Sequence, residues 1–88
     1  MRRYPARMRV RVLLFAGLRE RAGEARFELE VEPDPTLDDV RAALEARHPG
    51  LLASAKAAVA VNGTYARGGD VEIREGDEIA FLPPVSGG

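Results

Sequence analysis

Residues 26–32 alternate charged and apolar positions without a break. Phe27, Leu29 and Val31 fall on one face, and Arg26, Glu28, Glu30 and Glu32 on the other. A period of two is that of a strand with one face against a core and one in water. Residues 9–15 carry the same period less cleanly, with Val10, Val12 and Leu14 on one face and Arg9, Arg11, Leu13 and Phe15 on the other. Ala16-Gly17-Leu18 breaks this strand, residues 18–22 suit a short turn of helix, and Gly23-Glu24-Ala25 suits a hairpin connection to residues 26–32. After Pro33-Asp34-Pro35 the period lengthens. Leu37, Val40 and Leu44 recur at i, i+3 and i+7 with Ala43 beside them, the apolar stripe of a helix. Thr36 stands where an N-cap belongs, Asp38 and Asp39 favour the positive end of the helix dipole, Arg47 and His48 suit its negative end, and Pro49-Gly50 stops it. Leu51 and Leu52 are expected to cover the edge of the core. Residues 57–61 read as a third strand ended by the turn Asn62-Gly63. Gly68-Gly69 marks a loop, Val71 and Ile73 a short strand or irregular segment, Glu75-Gly76-Asp77 a turn, and residues 78–82 the last strand.

Strand, strand, helix and then short strands predict an α+β domain. A mixed sheet of four to five strands carries one main helix on one face, because the helix has one apolar stripe and each strand one strongly apolar face. This is the β-grasp (ubiquitin-like) arrangement, in which the first and last strands are central, parallel neighbours. The chain divides into a flexible extension, residues 1–7, a domain, residues 8–82, and an extended tail, residues 83–88.

With 88 residues, one domain with a modest core is all the chain can build, which favours a binding or carrier module over an enzyme with its own deep cleft. It has no cysteine, so a disulfide, a thiol nucleophile and a thiolate metal site are excluded. No apolar run approaches a membrane span, and Arg11 interrupts the stretch that follows the basic start, unlike a signal peptide. A cytoplasmic location is expected. The net charge is −1, but Arg2, Arg3 and Arg7 precede every acidic residue. The domain itself is therefore mildly acidic, which speaks against nucleic acid and for a basic partner surface.

The chain ends in Leu82-Pro83-Pro84-Val85-Ser86-Gly87-Gly88. Two prolines fix φ and hold the preceding residues extended, so the arm leaves the domain stiff. Ser86-Gly87-Gly88 then gives a thin end with almost no side-chain bulk. A stiff base loses little entropy on binding, and the glycines let a narrow channel close around the backbone. The expected chemical group is the Gly88 carboxylate, presented to a partner's active site. A free carboxylate is a poor electrophile, so acyl transfer requires its activation, for example as an acyl-adenylate.

A docking face beside the tail follows from the strand periods. If Val10, Val12 and Leu14 face the helix, Leu13 and Phe15 emerge opposite, and in the last strand Ala80 and Leu82 do the same. Side by side, Phe15, Leu82, Leu13 and Ala80 form an apolar patch, a candidate interaction site. Other polar features read as structural. His48 is a helix-end residue, Asp38-Asp39 a cap, Glu28-Glu30-Glu32 a solvated strand face, and Tyr65 a packing residue. The glycines form neither a P-loop nor a dinucleotide fingerprint.

Residues 9–15 followed by Ala16-Gly17-Leu18-Arg19-Glu20, and the ending Phe81-Leu82-Pro83-Pro84-Val85-Ser86-Gly87-Gly88, resemble the small subunit of molybdopterin synthase (MoaD-like), within the MoaD/ThiS ubiquitin-like sulfur carriers. The likeness runs from about Met8 to Gly88. Thiazole-synthesis carriers share the fold and the Gly-Gly end but usually lack the double proline. The resemblance implies a cycle. An E1-like adenylyltransferase uses ATP to adenylate Gly88, and a sulfur donor enzyme converts it to a thiocarboxylate. The tail, Pro83, Pro84, Val85, Ser86 and Gly87, then threads into the large synthase subunit, which supplies the catalytic side chains, and the sulfur is donated for molybdopterin, the organic part of the molybdenum cofactor. The carrier is non-catalytic, with no metal and no permanently bound cofactor. Residues 1–7 and Leu82, where an aromatic is common, depart from the family pattern. Other outlets for an activated terminus stay open: sulfur transfer to tRNA or to thiamine thiazole, or attachment to proteins as a ubiquitin-like modifier.

Overall fold

A computed structural model describes residues 7–53 and 57–83. The elements run β1 (Met8–Leu14), α1 (Ala16–Ala22), β2 (Arg26–Val31), α2 (Leu37–Arg47), β3 (Ala58–Val61), β4 (Thr64–Tyr65) and β5 (Glu78–Leu82). The strands form one sheet in the order β2-β1-β5-β3-β4. β1 pairs antiparallel with β2 and parallel with β5, and β5 pairs antiparallel with β3. The first and last strands are thus the central parallel pair, as the element order required.

The two strand faces separate as their periods predict. Val10, Val12, Leu14, Leu29, Val31, Val59, Ile79 and Phe81 are buried on the inner face. Leu37, Val40 and Leu44 of α2 are fully buried against them, and Leu18, Leu51 and Ile73 close the margins of the core. Each such side chain contributes about 1.5–3 kcal/mol by leaving water, so this one layer carries most of the stability.

Two connections differ from expectation. β1 and β2 are antiparallel, but α1 lies between them, beginning at Ala16 rather than Leu18 and ending at Gly23 in the left-handed region (φ 80°). Leu18 supplies the reason, since its burial at 2% exposure turns an interruption of the strand into a helix docked on the sheet end. The second difference is β4. Asn62 and Gly63 both have positive φ, at 51° and 86°. That pair makes a two-residue turn of the type that matches strand twist, and it returns Thr64 and Tyr65 alongside β3.

The start of α2 is held twice. The Asp39 carboxylate accepts from the Thr36 backbone N–H at 2.8 Å and from its hydroxyl at 3.2 Å. The loop at 69–71 covers the next amides, with Leu37 N–H donating to the Val71 carbonyl at 2.9 Å and Asp38 N–H to the Gly69 carbonyl at 3.0 Å. Groups that a helix N-terminus leaves without intrahelical partners are thereby satisfied. Among the described residues no helix is long and apolar enough to cross a membrane.

Candidate functional site: an apolar sheet face at the root of the tail

β1 and β5 run parallel, so Leu14 and Leu82 end at the same pole of the domain. There the chain passes through half-buried Pro83 toward its C-terminus. Pro84, Val85, Ser86, Gly87 and Gly88, the thin end of the proposed arm, lie outside the described residues.

The outer face of the sheet below this pole is built by register. Leu13 lies opposite Ala80, Ala80 opposite Ala60, and Ala60 opposite Tyr65. A second row toward the tail pairs Leu82 with Ala58, and Phe15 N–H donates to the Phe81 carbonyl at 3.3 Å. Directly opposed residues share a face, so the four residues named from the sequence, Phe15, Leu82, Leu13 and Ala80, lie together on it. Leu13, Ala80 and Leu82 are half-buried, while Phe15 remains 43% exposed.

Sequence reasoning missed three members of this face: Ala58, Ala60 and Tyr65. The sequence suggests a packing role for Tyr65, but it is 64% exposed, the more open of the two large apolar side chains exposed among the described residues. The other is Phe15. The signal was present in Asn62-Gly63, since a two-residue turn fixes Tyr65 opposite Ala60. The result is a shallow alanine floor, with Phe15, Leu13 and Leu82 toward β1 and Tyr65 at the far edge. Small residues in the middle let another backbone or a large side chain approach closely, and aromatics at the rim supply area with little rotamer entropy.

The next row away from the tail changes character. Glu28 lies opposite Arg11, and Arg11 opposite Glu78. Arg9 lies 3.9 Å from Glu28 and 3.8 Å from Glu30. The apolar patch is therefore bounded by charge on this side and by Arg26, opposite Leu13, toward β2, while β5 leaves it at Pro83.

At the tail pole, behind the sheet, Glu24 joins the α1–β2 turn to the end of α2. Its carboxylate accepts from Arg47 Nε at 2.8 Å and Arg47 Nη2 at 3.0 Å. His48 Nε2 lies 2.6 Å from it. The Arg47 guanidinium also covers the Phe27 ring at 4.4 Å from its centroid. The Arg47 hydrogen bonds, helped by His48 and opposed by burial, hold the Glu24 carboxyl down at about 2. His48 thus ends its helix as expected, with a partner the sequence did not reveal.

Comparison with known proteins agrees with this architecture. The "Molybdopterin synthase sulfur carrier subunit" of Chlamydomonas reinhardtii is 40% identical over 83 residues, which is 92% of this chain and 100% of that protein. The crystal structure of small archaeal modifier protein 1 from Haloferax volcanii is 31% identical with a TM-score of 0.81, covering 89% of this chain and 99% of the other. A protein–protein complex of subunits 1 and 2 of molybdopterin-converting factor from Helicobacter pylori 26695 matches at 28% identity and a TM-score of 0.66, over 92% of this chain and 100% of the matched chain. The profile of the ThiS family covers residues 12–88, and the chain belongs to that family.

Proposed function

We propose that this chain is a sulfur carrier and the small subunit of a molybdopterin synthase, working through the carboxylate of Gly88. The observation that carries the reading is positional. The chain leaves the sheet at Pro83 beside an apolar outer face, ahead of the Pro84-Val85-Ser86-Gly87-Gly88 ending of its sequence, and it is 40% identical to a protein named as such a carrier. The H. pylori complex, in which a related chain is paired with a second subunit, supports a large partner subunit.

The chemistry proceeds in two transfers. In an E1-like enzyme, a Gly88 carboxylate oxygen attacks the α-phosphorus of ATP and pyrophosphate leaves. The resulting acyl-adenylate is electrophilic at the Gly88 carbonyl carbon. A sulfide equivalent from a donor enzyme attacks that carbon and AMP leaves with the C–O bond electrons, giving a thiocarboxylate. The sulfur is then nucleophilic and available to a pterin precursor in the large subunit. This chain's own residues contribute position. Phe15, Leu13, Leu82 and Ala80 seat the domain on its partner, and Pro83 and Pro84 aim the arm. Val85, Ser86 and Gly87 fit the channel that leads to the reacting centre.

A second reading is favoured by the modifier relative from Haloferax volcanii: the same activated carboxyl is passed to lysines of other proteins. Reconstitution separates them. The thiocarboxylated chain is incubated with the large synthase subunit of the same genome and a pterin precursor, and in parallel with tRNA or a thiazole precursor and their enzymes. Sulfur is expected in the pterin product alone. Uptake only by tRNA or thiazole, or Gly88-dependent protein adducts with no pterin product, overturns the synthase reading.

A further inference from the structure

Among the described residues β2 is an edge strand, paired on one side only. Its hydrogen-bond phase decides what the open side offers. Leu14 N–H donates to the Ala25 carbonyl at 2.8 Å. In an antiparallel ladder this makes the pairs 14/25, 12/27, 10/29 and 8/31 the hydrogen-bonded ones. The intervening residues Arg26, Glu28 and Glu30 therefore point their N–H and C=O groups away from β1, toward the open edge. The phase is confirmed from the other side of β1, where Arg11 N–H donates to Asp77 and Phe15 N–H to Phe81, both toward β5.

This edge is not flat. A concavity of about 480 Å³ lies along Leu29, Glu28, Glu30, Arg9 and Arg47. A second of about 290 Å³ shares Glu30 with it and is lined by Arg7, Val31, Glu32, Asp39 and Ala43. Together they make a trough along the β2 edge that reaches half-buried Ala43 of α2. Its outer rim carries the exposed carboxylates of Glu28, Glu30 and Glu32. The cations near them are Arg11, opposite Glu28, Arg9, opposite Glu30, and Arg7, 3.6 Å from Glu32. The three ion pairs that Arg9 and Arg7 make are exposed ones of the kind worth little, so an incoming cation competes with them. The Arg47 guanidinium is occupied by Glu24.

We propose that the β2 edge is a second binding site, separate from the tail-side face, for an extended peptide that alternates basic and apolar residues and adds as a sixth strand. The alternation follows from geometry. Peptide residues hydrogen-bonded to Glu28 and Glu30 share their face, so their side chains meet the carboxylates and are lysine or arginine. The residues between them point to the trough beside Ala43 and are small and apolar. Main-chain hydrogen bonds supply the affinity, and the carboxylate row supplies the preference for basic over acidic sequences.

The probe is the capped peptide acetyl-Lys-Val-Lys-Val-Lys-amide, titrated into the ¹⁵N-labelled full chain. Saturable shifts are expected at the amides of Glu28, Glu30 and Ala43, with slowed hydrogen exchange at Glu28 and Glu30. N-methylation of the peptide lysines removes the edge-facing donors without touching the protein, and is expected to weaken binding about tenfold or more. Glu30→Lys, an exposed change that leaves the core intact, is expected to weaken it about threefold to tenfold, with the effect shrinking at high salt. Shifts centred on Leu13 and Ala80, an N-methylated peptide that binds equally well, or a glutamate-for-lysine peptide that binds as tightly would each overturn the proposal. So would sedimentation showing that the free chain already dimerises through β2. None of these outcomes bears on the Gly88 reading, which is scored by sulfur transfer.

Discussion

Replacing Glu24 by glutamine leaves the side chain's shape and removes the charge that joins the α1–β2 turn to the end of α2. The wild-type carboxylate accepts two hydrogen bonds from Arg47, at 2.8 and 3.0 Å, and one from His48 at 2.6 Å. Its pKa falls from 4.5 to about 2. At 1.36 kcal/mol per unit that difference is about 3 kcal/mol. The side chain keeps 28% of its surface exposed, and solvent screening reduces the contribution to about 1–2 kcal/mol. Because the folded-state pKa is depressed, this stability is fully present above the unfolded value of 4.5. It is lost as pH falls toward 2. Urea denaturation of wild type and Glu24→Gln at pH 7, 5, 4 and 3 tests this. The variant is expected to be about 1–2 kcal/mol less stable at pH 7 and 5, with the gap narrowed to about half by pH 3. Equal stability at pH 7, or a gap that stays constant down to pH 3, would show that the carboxylate does not hold the two elements together.

Other changes separate core, cap and docking face. Leu44→Ala, at the C-terminal end of the fully buried α2 stripe, is expected to cost about 2–5 kcal/mol in the same urea assay. Gly69→Ala places a Cβ against the carboxylate of Asp38, an exposed side chain that can rotate aside, so a loss of under about 1 kcal/mol is expected in the same assay. Phe15→Asp, at a 43% exposed position, should leave the urea midpoint nearly unchanged yet weaken binding to the large synthase subunit at least tenfold by calorimetry. Tyr65→Ala should do the same to a smaller degree, and an unchanged affinity would remove it from the docking face.

The strands and the main helix were legible because their patterns are local. Unbroken alternation in residues 26–32 admits one face inward, and Leu37, Val40 and Leu44 admit one helical stripe. Asn62-Gly63 likewise marked a turn whose consequence, the return of Tyr65 beside Ala60, required strand pairing to see. α1 was half legible, because its single buried anchor, Leu18, makes no periodic signal. The Glu24 cluster was not legible at all. Its partners stand 23 and 24 positions away, and nothing local distinguishes Glu24 from other surface glutamates. The open edge of β2 was hidden for the same reason, since a strand's position in the sheet is a property of the whole topology. The tail beyond Pro83 lies outside the described residues.

The proposed chemistry rests on Gly88, and it is tested by the intact mass of the full chain after incubation with the E1-like adenylyltransferase of the same genome, ATP and a sulfur source. Replacement of one oxygen by sulfur is expected, mapped by fragmentation to Gly88 and abolished by deleting that residue. No mass change, or a modification mapped to any other residue, would contradict it.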